Sequence, residues 1–398
     1  MYKEIEIYLS QINLTNLRNY ASLNMSLPKG VILISGNNGH GKSNLLEAIH
    51  ILAAGKSQRA ANDSEIVLRE NNIVKDYARI YADVVRKNQD VTKVQMDLIR
   101  RDISSLTPKS SDLNKGKPVK FTKVFNLNSS IIKVSNFIGQ VNVVIFTAKD
   151  LDLVYGSPIL RRKYIDLLIS QIDKKYIKSL QNFNRVVVQR NHLLKMIRAK
   201  KSFKDQLTQW DDIFVDSAQY LIRSRGKIIK YLCEIARPLH HDLSNNDSIL
   251  DIKYQPSIPI DLDSTIEEGS NFIRNLFKSN QDKELNEGVT LFGPHRDDFL
   301  MTLDGASISS YYSRGQSRTF LLSVKLAESE LYKKMIGQEP IILLDDIMSE
   351  LDKFRQSYIL DRLMNYEQCI ITSAEADIFT ENIVSAISRF RVENGTIH

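Results

Sequence analysis

An α/β fold assembled from both ends of the chain, with a helical arm inserted between them, follows from three observations. Residues 31–34 (VILI) form a short all-apolar run that leads through a glycine-rich loop into a segment with helical spacing. Residues 341–344 (IILL) form a second such run, ending in two carboxylates. From about residue 157 the apolar spacing turns helical and the charge turns basic. Short apolar runs bounded by turn residues mark strands buried on both faces, as in a parallel sheet.

The opening reads as strands. Residues 5–9 mix polar and β-prone side chains, and 23–27 alternate before the Pro28-Lys29-Gly30 turn. Leu46, Ile49 and Ala53 give residues 43–54 a helical period, and 77–85 and 93–99 are further strands. Residues 104–120 hold almost no large apolar side chain and predict an exposed, flexible inserted loop. Tyr176, Leu180, Phe183, Val187 and Leu194 share one helix face, interrupted by Arg190; Leu207, Trp210, Phe214, Leu221 and Leu232 form a second stripe. The two stripes pack a basic helical hairpin. Residues 243–270 read as a polar connection with two prolines. Strands return at 289–292 and 299–303, a helix follows at 317–332, and strands close the pattern at 341–344 and 369–372. The expected division is a head segment 1–146, a basic helical arm 147–288 and a second head segment 289–398.

The chain has 398 residues, 42% hydrophobic and 25% charged, as in ordinary globular proteins. No apolar run approaches the ~18 residues of a membrane span. The first ten residues mix charge with apolar side chains, unlike a signal peptide. Cys233 and Cys369, without CxxC spacing, fit a reducing compartment and suggest no metal site. A cytoplasmic protein with no membrane partner is expected. The net charge is +7, yet residues 161–237 alone hold 18 basic and 7 acidic side chains. Such a surplus is the footprint of a phosphate-backbone binder, and equally of a solvated helical face.

Gly36-Asn37-Asn38-Gly39-His40-Gly41-Lys42-Ser43 is a complete G-x4-G-K-S between a buried strand and a helix. Glycines let backbone N–H groups turn toward phosphate oxygens, and the helix start adds its dipole. Lys42 is expected to neutralise the β- and γ-phosphates of ATP, and Ser43 to ligate Mg2+. Asp345, ending the second apolar strand, is expected to hold Mg2+ through water, and Asp346 to orient the attacking water, as in a Walker B strand. Ser313-Arg314-Gly315-Gln316 enters a helix just upstream of that strand. In that position it reads as the phosphate-sensing signature loop of an ABC-type ATPase. Lys42 lies 271 positions before Ser313 and 303 before Asp345. That is too far for a compact transporter ATPase domain, and the insert is too short for a long coiled coil. His295 and Arg296 read as a structural turn or interface loop, and His240-His241 as a solvated turn.

The motifs together resemble the RecF family of bacterial recombination mediators. The matching stretches are 13–20 (NLTNLRNY), the P-loop with 44–59, 150–166, 189–195 (QRNHLLK), 293–299 (GPHRDDF), 313–319 (SRGQSRT) and 343–352 (LLDDIMSELD). The resemblance implies an SMC-like, ABC-type head that dimerises on ATP, binds DNA and hydrolyses ATP slowly. It also implies action at gapped or stalled-fork DNA, with RecR and RecO as partners in loading RecA, and roles in replication restart and the SOS response. Carried onto this chain, Gly36 to Asn44 bind ATP and Arg59 matches an arginine near the nucleotide. Ser313 to Gln316 close on the other protomer's nucleotide, and Ser349 to Asp352 match a loop that signals across the dimer. Two departures stand out. Residues 147–150 read Thr-Ala-Lys-Asp where the family usually has Ser/Ala-Pro-Glu-Asp, and the strand 369–372 ends in Thr372-Ser373, without the switch histidine of many ABC ATPases. Gln140 is near the place of a Q-loop glutamine but resembles plain surface.

DNA contact is expected from the arm, through Arg161, Arg162, Lys163, Arg190 and Lys195, on single strands or single–double strand junctions. Asp346 is one methylene shorter than the glutamate of fast ABC ATPases, which fits a slow switch. The rival reading is a non-catalytic, ATP-dependent DNA clamp or scaffold.

Overall fold

The computed structural model describes residues 7–70, 73–86, 90–101, 119–244, 247–374 and 387–398. The chain divides into two compact units, one of residues 1–149 and 332–398, the other of 150–331. The first unit begins with β1 (Ile7–Leu17), β2 (Tyr20–Ser26), β3 (Gly30–Ser35) and α1 (Lys42–Ala54). β4 (Arg69–Glu70), β5 (Ile73–Val74), β6 (Tyr77–Arg86), β7 (Asp90–Arg100), β8 (Phe121–Leu127), β9 (Ser130–Ile132), α2 (Val134–Phe137) and β10 (Val143–Thr147) follow. The second unit carries α3 (Asp152–Tyr155), α4 (Pro158–Ile172), α5 (Lys174–Arg198), α6 (Leu207–Ser244), β11 (Leu250–Gln255) and α7 (Ile266–Glu287). It continues with β12 (Asp298–Leu303), β13 (Ala306–Ser307) and α8 (Ile308–Tyr311), and α9 (Arg314–Ile336) runs across the boundary. β14 (Ile341–Asp345), α10 (Lys353–Leu363), β15 (Gln368–Ser373), β16 (Ser388–Glu393) and β17 (Thr396–Ile397) complete the first unit.

Two sheets build the first unit. One is antiparallel, in the order β2-β1-β6-β7-β8-β9. The strict alternation of β6 turns Ala78, Ile80, Ala82 and Val84 inward. The other has the order β10-β14-β15-β3-β16-β17, parallel from β10 to β16. Helix α1 is buried almost all round, its polar Glu47 and His50 included. Leu45, Leu46, Ile49, Ile51 and Leu52 are fully buried in one core that joins β1, β6 and β7 to β3, β14 and β15. The same core holds the P-loop helix rigidly against both sheets. Strand β15 lies between β14 and β3, so the acidic strand end and the glycine loop sit two strands apart on the same sheet edge.

In the second unit the two predicted stripes pack α5 against α6, with α4 and α7 alongside. The division expected from spacing needs correcting here. Residues 289–331 fold with the arm rather than with the head, because β12 pairs along its whole length with β11, from Leu250 opposite Leu303 to Gln255 opposite Asp298. Residues 243–270 are not a plain connection, since they contain β11 and the start of α7. Residues 289–292 form no strand. Asn191 Oδ1 accepts the Thr290 N–H at 2.7 Å and Glu284 Oε1 the Leu291 N–H at 2.9 Å, so side chains replace a ladder. His240 is not a solvated turn. It is buried within α6, with its ring nitrogens on Ser323 and Ser248. Of the polar segment 104–120, residues 104–118 lie outside the described residues.

Candidate ATPase site

The P-loop is shaped by what surrounds its glycines. Gly36 has φ 144, and a Cβ there would lie 2.4 Å from the Val392 carbonyl oxygen of β16. Gly41 has φ 122, and a Cβ would meet Asn19 and Tyr20 within 3.0 Å. Both positions exclude larger residues. The tip of the β1–β2 hairpin holds the loop from outside. Asn19 Nδ2 donates to the His40 carbonyl at 2.8 Å, Asn44 Nδ2 donates to Asn19 Oδ1 at 2.8 Å, and the Tyr20 hydroxyl donates to the Gly41 carbonyl at 3.0 Å. Gly395 N donates to the His40 carbonyl at 3.1 Å. The stretch 13–20 thus acts as a clamp on the loop.

Lys42 opens α1 and folds back over the loop, with Nζ donating to the Gly36 carbonyl at 2.6 Å and the Asn37 carbonyl at 3.1 Å. Burial lowers its pKa, and the nearby carboxylates of Asp346 and Asp345 pull it back up. The ammonium is therefore desolvated and faces the acidic strand end. A phosphate oxygen is a stronger acceptor for such a group than a neutral carbonyl. Ser43 and Asp345 are half-buried, and a hydroxyl and a carboxylate are hard oxygen donors of the kind that suits Mg2+. His40 Nδ1 is buried with no hydrogen-bond partner among the described residues, a further polar atom open to a ligand of the loop.

Thr372 organises the acidic end. Its Oγ1 lies 3.0 Å from Asp345 Oδ1 and 3.3 Å from the Leu344 carbonyl, and accepts the Asp346 N–H at 3.1 Å. Asp346 has φ 56, the left-handed region that Asp and Asn tolerate best. Ser349 Oγ caps its carbonyl at 2.9 Å. Residues 349–352 lead into α10, where Asp352 accepts the Arg355 N–H at 2.9 Å; this bond chiefly holds the carboxyl below the usual range. Arg59 stands beside the loop, with Nη1 3.2 Å from Asn44 Oδ1 and 3.7 Å from Glu47. Glu47 is already gripped by Arg18 at 2.7 and 2.8 Å, which leaves Arg59 the more exposed of the two cations. Gln140 is tied to Arg86 and to the Asn136 carbonyl.

Ser313 to Gln316 belong to the other unit. Ser313 N donates to Gln316 Oε1 at 2.9 Å and Gln316 N to Ser313 Oγ at 3.3 Å, a reciprocal capping box at the start of α9. All four residues, Arg314 and Gly315 included, are exposed. Serine followed three positions later by glutamine is itself a capping signal, legible in the sequence but unused there.

The expected DNA residues separate. Lys163 and Lys195 are exposed. Arg161 is bound in a two-pronged pair to Asp298 at 2.6 and 2.8 Å, and Arg162 donates to the Asp297 carbonyl at 2.6 Å. Arg190 must be withdrawn as a DNA contact. It is 1% exposed and bonded to Glu284 at 2.6 Å, Asp211 at 2.7 Å and Thr290 at 3.0 Å. It does not interrupt the stripe but belongs to it. The GPHRDDF stretch is equally structural. Arg225 binds Asp297 at 3.0 Å and the Pro294 carbonyl at 2.6 Å, and His295 Nε2 meets the Thr290 carbonyl at 3.2 Å.

A model of the RecF/RecN/SMC N-terminal domain matches residues 8–398. The chain is 34% identical to the DNA replication and repair protein RecF of Bacillus velezensis, over 98% of its own length and the whole of that protein. It is 35% identical to that of Acetivibrio thermocellus, over 98% and 99%. The solved recombination mediator protein RecF with ATP, of the RecFOR pathway, superposes with a TM-score of 0.85 at 29% identity, covering 100% of this chain and 98% of that one. An SMC head from Pyrococcus furiosus (TM-score 0.52, 15% identity, covering 98% and 95%) shares the fold alone. A glycine loop and an acidic strand end facing one another across β15, in a chain aligned from end to end with these proteins, place it: the chain belongs to the RecF family of SMC-like, ABC-type ATPase heads.

Proposed function

We propose that this protein is an ATP-dependent, DNA-binding recombination mediator. It dimerises on ATP, hydrolyses it slowly and acts at gapped or stalled-fork DNA with RecR- and RecO-type partners. There it helps load RecA in repair, replication restart and SOS induction, within the cytoplasm. No helix among the described residues is long and apolar enough to cross a membrane. One observation carries the reading. Lys42 and the Asp345–Asp346 carboxylates lie within electrostatic reach of one another in one unit, and the exposed capping box at Ser313 opens a helix in the other, which supports a nucleotide site made of two halves.

Two copies related by a two-fold axis would then supply both halves twice. Gly36 to Asn44 cradle the triphosphate, with Lys42 exchanging its carbonyl contacts for phosphate oxygens. Ser43 and Asp345 would hold Mg2+, which supplies positive charge to the phosphates when bound. The Ser313 hydroxyl and the N–H groups of Gly315 and Gln316 close on the γ-phosphate from the other protomer. Asp346 orients the attacking water and takes its proton, and Thr372 fixes the backbone from which it does so. Arg59 adds charge beside the loop.

Lys163 and Lys195 are the DNA contacts that retain support from exposure. Anisotropy of a labelled gapped oligonucleotide tests the reading. Binding should require ATP, ignore base sequence and weaken steeply with salt, with Lys195→Ala reducing the log–log slope by about 0.9. Binding indifferent to ATP would favour the clamp or scaffold.

A further inference from the structure

The turn between α5 and α6 carries an aromatic side chain that no packing accounts for. Phe203 is 76% exposed, whereas Phe183 and Phe214 of the same hairpin are fully buried. A single exposed apolar side chain is common on a protein surface, and what sets this ring apart is the charge around it. Its setting is basic. From Lys195 to Lys204 five of ten residues are Lys or Arg and none is acidic. Two of the five are used by the fold: Arg198 caps the end of α7 through the Asn286 and Glu287 carbonyls, and Lys204 pairs with Asp282 at 3.1 Å. Lys195, Lys200 and Lys201 are exposed and form no ion pair with a described residue.

The backbone shapes the tip on which these cations sit. Helix α5 ends in a turn in which Lys201 N reaches the Met196 carbonyl at 2.9 Å, and Lys200 has φ 56. Glycine is the residue such a left-handed position favours. A lysine there keeps a cation at the tip in an uncomfortable conformation. Phosphate backbones attract cations, and unpaired bases stack on exposed aromatic rings, a combination that binds single strands with little regard to sequence. A base inside an intact duplex offers no free face to a ring.

We propose that Phe203 stacks on an unpaired base of single-stranded or gapped DNA while Lys200 and Lys201 hold the flanking phosphates, so that the α5–α6 tip distinguishes unpaired from paired DNA. This rests on the DNA-binding reading above and names the chemistry of the contact. An exposed ring among lysines also suits an anionic membrane, but one isolated ring without an apolar face beside it favours the nucleic acid.

Full-length protein with ATP is titrated against a gapped oligonucleotide carrying 2-aminopurine in the gap and against a blunt duplex, and separately against vesicles of anionic phospholipid. Phe203→Ala should weaken gapped DNA about tenfold with an unchanged salt slope, leave the duplex unaffected and abolish 2-aminopurine quenching. Phe203→Tyr should restore both, and the doubled Lys200→Gln, Lys201→Gln variant should lower the salt slope by about 1.4. A Phe203→Ala protein that binds and quenches like the parent overturns the stacking while leaving DNA binding intact. A parent that binds no DNA overturns both readings. Vesicle binding lost in Phe203→Ala, with DNA binding unchanged, assigns the tip to a membrane and also overturns the proposal.

Discussion

Thr372 anchors Asp346: its Oγ1 accepts the Asp346 backbone N–H at 3.1 Å while lying 3.0 Å from the neighbouring Asp345 carboxylate. One buried hydroxyl at the end of β15 thereby orders both acids at the end of β14.

Thr372→Val keeps the shape of the side chain and removes the acceptor. ATP turnover should fall about tenfold while nucleotide affinity is retained, and Thr372→Ser should recover the rate. Phosphate-release kinetics beside a nucleotide titration separate the two quantities. Unchanged turnover in Thr372→Val would mean that the threonine only fills space.

Asp346→Glu extends the carboxylate by one methylene toward the water that it is proposed to orient, so turnover should rise. The left-handed backbone suits aspartate better than glutamate, and stability should drop by on the order of 1 kcal/mol. A rate that stays level or falls would contradict the idea that the short acid makes a slow switch.

Removing Arg190 should unfold the arm rather than weaken DNA binding directly. Arg190→Ala leaves the Glu284 carboxylate, fully buried, without its cation and should cost about 3–5 kcal/mol. Arg190→Met combined with Glu284→Leu should recover most of that loss. Urea unfolding monitored at Trp210, which lies on α6, reads both. Wild-type stability in Arg190→Ala would place the side chain outside the core.

His295 should make stability pH-dependent. Burial pushes its pKa down to about 4 from an ordinary 6.5. The unfolded chain therefore binds a proton in this window that the folded chain refuses. Stability is whole above about pH 7 and declines as the pH falls from 6.5 toward 4, by about 3 kcal/mol for this group. His295→Gln should flatten that part of the profile in denaturation curves taken at pH 7 and 4.5. An equal decline in the variant would assign it to other groups.

What the sequence made legible was whatever a period or a short motif announces. The buried runs at 31–34 and 341–344, the glycine loop and the apolar stripes of α5 and α6 each carry such a mark. Helix α7 was hidden because its buried face includes Glu284 beside Ile273, Phe277 and Leu285, so its stripe reads as polar. The same pairing hid Arg190, whose burial depends on partners 94 and 21 positions away. Residues 289–292 looked like a strand by composition, but only the fold shows their N–H groups taken by Asn191 and Glu284. Asn19 lies in the matching stretch 13–20 and Thr372 where other ABC ATPases have a histidine, but neither position announced what it holds. Their roles come from the loop and the strand end beside them.

Sedimentation velocity with and without ATP and Mg2+, on the parent, Lys42→Met and Ser313→Arg, tests the shared site most directly. An ATP-dependent dimer that both substitutions abolish is the expected result, since one removes the cation proposed to meet the phosphates and the other blocks the helix start proposed to close on them. A monomer under every condition, or a dimer indifferent to nucleotide, would contradict the sandwich and leave the protein a scaffold.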